Sequence, residues 1–139
     1  MSALNFPYVE GTSVIFGTVL RPLISLEAYS ELLGRWVLLE NLLADTGADI
    51  SVLPRPLGEL LIGEITTGQY SPLSGINPGA VLPAFIHIVQ IRLGDEEFEM
   101  PVAIADSSLI PPVLGRKDAL DRFVVRFVVG EETIIEGPL

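Results

Sequence analysis

Ala44-Asp45-Thr46-Gly47-Ala48-Asp49-Ile50-Ser51-Val52-Leu53-Pro54 sets a carboxylate at the tip of an apolar strand. The residues before it, Val37-Leu38-Leu39 and Leu42-Leu43-Ala44, are almost all hydrophobic. Gly47, two positions on, lets backbone come close to the carboxylate. Such a group is costly in apolar surroundings unless it is hydrogen-bonded or functional. Acid–base chemistry run by carboxyl groups needs one as acid and one as base. The Asp-Thr-Gly run occurs once in the chain. The second carboxyl is therefore expected from a second copy of the polypeptide.

Composition narrows the remaining choices. The chain has 139 residues, which suits one domain spanning 1–139. Hydrophobic residues make up 49%, enough for a core without disulfides, and there is no cysteine to form disulfides or thiolate metal sites. The formal charge is -10, which argues against a nucleic-acid partner, since phosphate binding wants clustered Lys and Arg. Met1 to Glu10 contains no Lys or Arg and does not resemble a signal peptide. No apolar run approaches the roughly 20 residues of a membrane span. A soluble cytoplasmic protein is expected, with no membrane partner. The mean hydropathy of +0.52 is high for a small soluble domain and fits an oligomer that hides apolar surface.

The periodicity is mostly that of strands. Ser13 to Leu20, Leu23 to Leu26 and Arg35 to Leu43 are rich in strand-forming residues, the last leading into the Asp45 loop. Ala84 to Leu93 and Phe98 to Ile104 are expected to pair around Gly94-Asp95-Glu96. Phe123 to Val129 and Thr133 to Glu136 are expected to pair around Gly130. Helix is scarce. Pro56 to Ile62 allows one short turn. Lys117 to Phe123 is the better candidate, with Leu120 and Phe123 at i, i+3 and two aspartates early. The Gly68 to Pro83 stretch is a long loop, and long loops in compact domains are usually functional or mobile. Thr133 to Leu139 is a candidate terminal strand that Gly137-Pro138 ends early, and Met1 to Tyr8 is open between a second terminal strand and a loose arm.

About 70 residues after Asp45 comes Pro112-Val113-Leu114-Gly115-Arg116-Lys117-Asp118-Ala119-Leu120. With Ala44 to Pro54, this segment makes the chain resemble the retropepsin-like aspartic proteases, the single-domain type that works as a homodimer. The resemblance runs from about Val14 to Glu136. It implies an all-β fold, the retropepsin-like acid protease barrel, with one short C-terminal helix. It implies a hydrolase, an aspartic-type endopeptidase acting on an extended peptide or protein without metal or cofactor. Two Asp45 side chains, one per subunit, would share one proton at a two-fold axis, as such carboxyl pairs do.

The remaining site residues are likewise assigned by resemblance. Thr46 would tie the two loops together through its hydroxyl, and the Gly47 N–H would face the carboxylates. Asp49 and Arg116 would form a salt bridge beneath the site, and Asp49 would also accept a substrate N–H. Leu114-Gly115 would pack below the loop. Ala48 stands where a serine could donate to the carboxylate and favour its ionised form, so a less acidic optimum is expected. The flap would lie in Gly68 to Pro83, with Ser74, Gly75, Ile76, Asn77, Pro78 and Gly79 at its tip. The competing reading is a catalytically weak or inactive module of the same fold, used for dimerisation or peptide binding. His87, Trp36 and Asp106 are assigned to packing or loop structure rather than to chemistry.

Overall fold

The computed structural model describes residues 2–75 and 79–139. Strands dominate. The chain begins with β1 (Leu4–Pro7), then a hairpin of β2 (Val9–Ser13) and β3 (Gly17–Arg21). β4 (Leu23–Ser30) and β5 (Arg35–Ala44) follow, then β6 (Ser51–Leu53) and the helix α1 (Arg55–Ile62). Short strands β7 (Gln69–Tyr70), β8 (Leu73–Ser74) and β9 (Val81–Leu82) lead to the long pair β10 (Ala84–Leu93) and β11 (Glu96–Ala105). β12 (Val113–Leu114), β13 (Val124–Val128) and β14 (Glu132–Glu136) complete the chain.

Six strands close on themselves in the order β11-β6-β12-β5-β4-β10, sealed by the β10–β11 pair. Closure removes free edges from the main sheet. Alternation drives burial. Along β4 every second residue (Ile24, Leu26, Ala28, Ser30) is buried. The polar member, Ser30, is satisfied: its hydroxyl donates to the Leu60 carbonyl at 2.7 Å and accepts from the Leu33 amide at 2.9 Å. Opposite β4, β5 carries an extra residue where Asn41 takes φ 61 and the register shifts, a bulge that bends the strand on its way to Asp45. The interior is filled by Leu39, Leu42, Leu53, Val89, Ile91, Met100, Val102 and Ile104, among others.

Three features differ from the sequence reading. Ser13 to Leu20 is not one strand. Ser13 Oγ accepts from the amides of Ile15 and Phe16, both at 3.2 Å, and Gly17 takes φ 73, so the chain reverses within an apolar run. The α-helix is not near the C-terminus: the turn read at Pro56 to Ile62 forms as the eight-residue helix Arg55–Ile62, opened by Pro56 in its first turn and stopped by Gly63 at φ 88. Lys117 to Phe123 holds only a 3₁₀ turn at Leu120–Arg122, because Asp118 at φ 51 and Ala119 at φ -130, ψ -101 leave the helical region. Leu120 and Phe123 are buried all the same, as their spacing requires. Met1 to Tyr8 holds the strand rather than a loose arm: Leu4–Pro7 pairs with β14 in a three-stranded sheet ordered β1-β14-β13. No helix among the described residues is long and apolar enough to cross a membrane.

Candidate active site

The Asp45 loop joins two barrel strands, β5 and β6, and β12 lies between them. β12 runs parallel to β5 (Val113↔Leu43, Leu114↔Ala44) and antiparallel to β6 (Val113↔Val52). The loop root is therefore held from both sides. The Asp45 amide donates to the Leu114 carbonyl at 3.0 Å, and the Ala44 amide to the Pro22 carbonyl at 3.0 Å. Inside the loop, the Gly47 amide donates to Asp45 Oδ1 at 2.9 Å, and the Ala48 amide to the Asp45 carbonyl at 3.2 Å. The carboxylate is thus oriented by backbone, as the glycine leads one to expect. It is half-buried, while Thr46, Gly47 and Asp49 are exposed.

Gly115 meets the loop from below. A Cβ there would stand 2.5 Å from the Ile50 carbonyl carbon and 2.9 Å from the Ala48 oxygen, so no larger residue fits without backbone movement. Its amide donates to the buried Ser51 hydroxyl at 3.0 Å. The amides of Arg116 and Lys117 donate to the carbonyls of Ala48 and Asp49, both at 2.9 Å. The two sequence anchors are thereby locked together. The side chains are arranged otherwise than anticipated: the Arg116 guanidinium lies 3.7 Å from Asp121, and no Asp49–Arg116 ion pair forms among the described residues. Asp121, only five residues along the same turn, reaches the guanidinium first.

Asp45 opens into a cleft of about 440 Å³. Asp45, Ala48, Ser74 and Gly75 line it together, so the loop and the flap candidates converge. The β8–β9 hairpin (Leu73↔Leu82, Ser74↔Val81) forms one wall. Gly79 is an exposed turn residue, and Ile76 and Asn77, with Pro78, lie outside the described residues. The sequence reading missed the apolar walls Val52, Leu82, Ile110, Pro111 and Val113. Val52 and Val113 sit inside the two anchor segments, but nothing in the sequence marks any of the five as a wall; only the barrel topology gathers them. Asp45 is the one carboxyl-bearing residue among those lining the cleft.

The other singled-out residues are structural. His87 Nε2 meets the Ile65 carbonyl at 2.7 Å. Trp36 stacks edge-on with Tyr29 and lies under the Arg92 guanidinium, 4.1 Å from the ring. Asp106 pairs with Arg55, clipping α1 to the end of β11 and raising the Arg55 pKa, first through that hydrogen bond. The Thr66 hydroxyl holds the Glu64 carboxyl below its ordinary range. Neither Arg55 nor Glu64 lines the cleft.

No protein-family model matches the sequence, and no curated protein matches it. Similarity enters through structure. A retropepsin-like aspartic protease from Rickettsia conorii superimposes with a TM-score of 0.62 at 17% identity, over 96% of this chain and 90% of that one. EIAV protease in complex with an inhibitor aligns at 24% identity over 69% of this chain and 82% of that one; its TM-score of 0.47 is too low to carry weight. The closed six-stranded barrel, the inserted β12 and the near-full-length superposition give the same answer: the chain has the retropepsin-like fold.

Proposed function

We propose that the chain is an aspartic endopeptidase that works as a homodimer, with one active site formed by two Asp45 carboxyls. One observation carries this reading. A backbone-oriented Asp45 opens into an apolar cleft that contains no second carboxyl from its own chain. Peptide hydrolysis by carboxyl groups needs an acid and a base together. The missing group is supplied by two-fold pairing, which brings identical surfaces face to face.

In the paired site, one Asp45 is ionised and the partner's Asp45 protonated, because like charges this close do not both ionise. The ionised carboxylate takes a proton from a water as its oxygen attacks the scissile carbonyl carbon. The protonated carboxyl gives its proton to the carbonyl oxygen. The tetrahedral diol then collapses: a diol hydroxyl gives its proton to the carboxylate now ionised, the carboxyl that took the water's proton passes it to the leaving nitrogen, the C–N bond breaks, and the pair is left with its single shared proton. Gly47 fixes the carboxylate, Thr46 joins the two loops, and Ala48 lines the site beside them. Asp49 stands exposed to accept a substrate amide, while Arg116 braces the loop through its backbone. Ser74, Gly75 and Gly79, with Ile76 and Asn77, belong to the flap. An extended peptide with apolar side chains fits the walls of Val52, Leu82 and Val113.

Asp45→Asn tests this directly, since it removes the proton-sharing pair with little change in volume. Cleavage of a peptide library is expected to fall by at least about a thousandfold, with folding unchanged by circular dichroism. Equal peptide binding by both proteins, with no cleavage by either, would instead support a non-catalytic peptide-binding module.

A further inference from the structure

The β2–β3 hairpin is a two-stranded sheet of its own, paired with no strand of the barrel. Its tip is Val14-Ile15-Phe16, with relative exposures of 105%, 82% and 77%. Three adjacent large apolar residues that far into water are unusual for a chain with no use for them. The tip is nonetheless ordered: Ser13 Oγ accepts two amides of the turn, and Arg21 donates to the Thr12 carbonyl across the hairpin at 3.1 Å. It is a shaped apolar knob on a stem.

The stem is rooted at the candidate active site. At its start the Tyr8 amide donates to Glu131, and at its end the Pro22 carbonyl accepts from Ala44, the residue before Asp45. Five residues per strand give a reach of roughly 17 Å. A groove of about 370 Å³ adjoins the same loop: Leu120, Phe123, Val125 and Phe127 give it apolar walls, and Thr46 and the Arg116–Asp121 ion pair also line it. We propose that the β2–β3 hairpin is a dimerisation arm whose Val14-Ile15-Phe16 tip seats in this groove on a second copy of the chain.

The inference rests on the paired-Asp45 reading, since the arm's root beside Ala44 and the groove beside Thr46 both adjoin the loop that would meet its copy. Charge favours a second copy over other occupants. Residues 9–21 carry one acid, Glu10, and one base, Arg21, on a chain of net charge -10. The arm is thus one of the near-neutral parts of an acidic molecule and approaches another copy with little repulsion. The same net charge opposes anionic lipid.

The test uses the full chain and sedimentation equilibrium. The double variant Ile15→Ser with Phe16→Ser removes only exposed apolar groups, so it folds as the wild type does. Its dimer Kd is expected to rise at least about tenfold. The chain lacks cysteine, so introduced thiols are unique. Phe16→Cys and Phe127→Cys proteins, mixed and oxidised, are expected to give a heterologous two-chain disulfide that neither gives alone. An undiminished dimer in the Ser variant would overturn the arm and leave the acid pair standing. A wild type that stays monomeric at every concentration would overturn both. Binding of the wild type to phosphatidylcholine vesicles, lost in the Ser variant while the dimer persists, would place the tip in lipid and overturn the arm.

Discussion

Asp45 owes its orientation to backbone alone, through the amide of Gly47. That leaves Ala48 as the position where chemistry can be tuned. Ala48→Ser adds a donor beside the proposed carboxyl pair, which favours the ionised form; the acid limb of the pH–rate profile should then move down by about one pH unit. A profile unchanged by the substitution would show that residue 48 does not address the carboxyls. Gly115 is the opposite case, a residue with no freedom. Gly115→Ala drives a Cβ to 2.5 Å from the Ile50 carbonyl carbon, and backbone on both sides must move. A loss of about 2 kcal/mol or more in urea denaturation is expected, together with reduced cleavage, because the displaced backbone is the Asp45 loop itself. Both residues were legible in the sequence, Ala48 by its place after Asp-Thr-Gly and Gly115 as the glycine before Arg116. The Arg116 partner was not. Choosing between Asp49 and Asp121 depends on where a turn with Asp118 at φ 51 throws its side chains, and no sequence pattern encodes that.

The long strands were readable from their runs of strand-forming residues, with burial alternating over only part of each. Ala84–Leu93 has the bounds its pattern gave, and Arg35–Ala44 extends its reading by one residue. Turns made of apolar residues hid themselves. Val14-Ile15-Phe16 has strand composition, and only a Ser hydroxyl capping two amides turns it into a hairpin tip. The β8–β9 pair was hidden for a related reason: Leu73–Ser74 and Val81–Leu82 are too short to show a period, yet their pairing walls the cleft. In the three-stranded sheet, the middle strand β14 buries Ile135 and Thr133 completely. Thr133 Oγ1 is buried without a hydrogen-bond partner among the described residues. Thr133→Val keeps the shape and removes the stranded hydroxyl, so it should stabilise the protein by about 1 kcal/mol in chemical denaturation. A destabilised variant would mean the hydroxyl is satisfied in the folded protein.

The molecule as a whole is a closed barrel that, on the proposed function, holds half of a site. Its cleft walls come from β6, β8, β9, β12 and the segment before β12, elements scattered from residue 52 to residue 113. That dispersal is why the catalytic loop could be read from one run of residues while the substrate walls could not. The barrel cannot supply the second carboxyl, because Asp45 alone faces the cleft. The proposed function therefore requires two chains to act as one enzyme, and a subunit-mixing experiment measures this most directly. Wild-type protein is mixed in varying ratio with Asp45→Asn at fixed total concentration, allowed to exchange, and assayed for cleavage. If both carboxyls are required, activity follows the square of the wild-type fraction, so an equal mixture retains about one quarter of the full value. Activity proportional to the wild-type fraction would mean that each chain cleaves alone, and the account would be wrong.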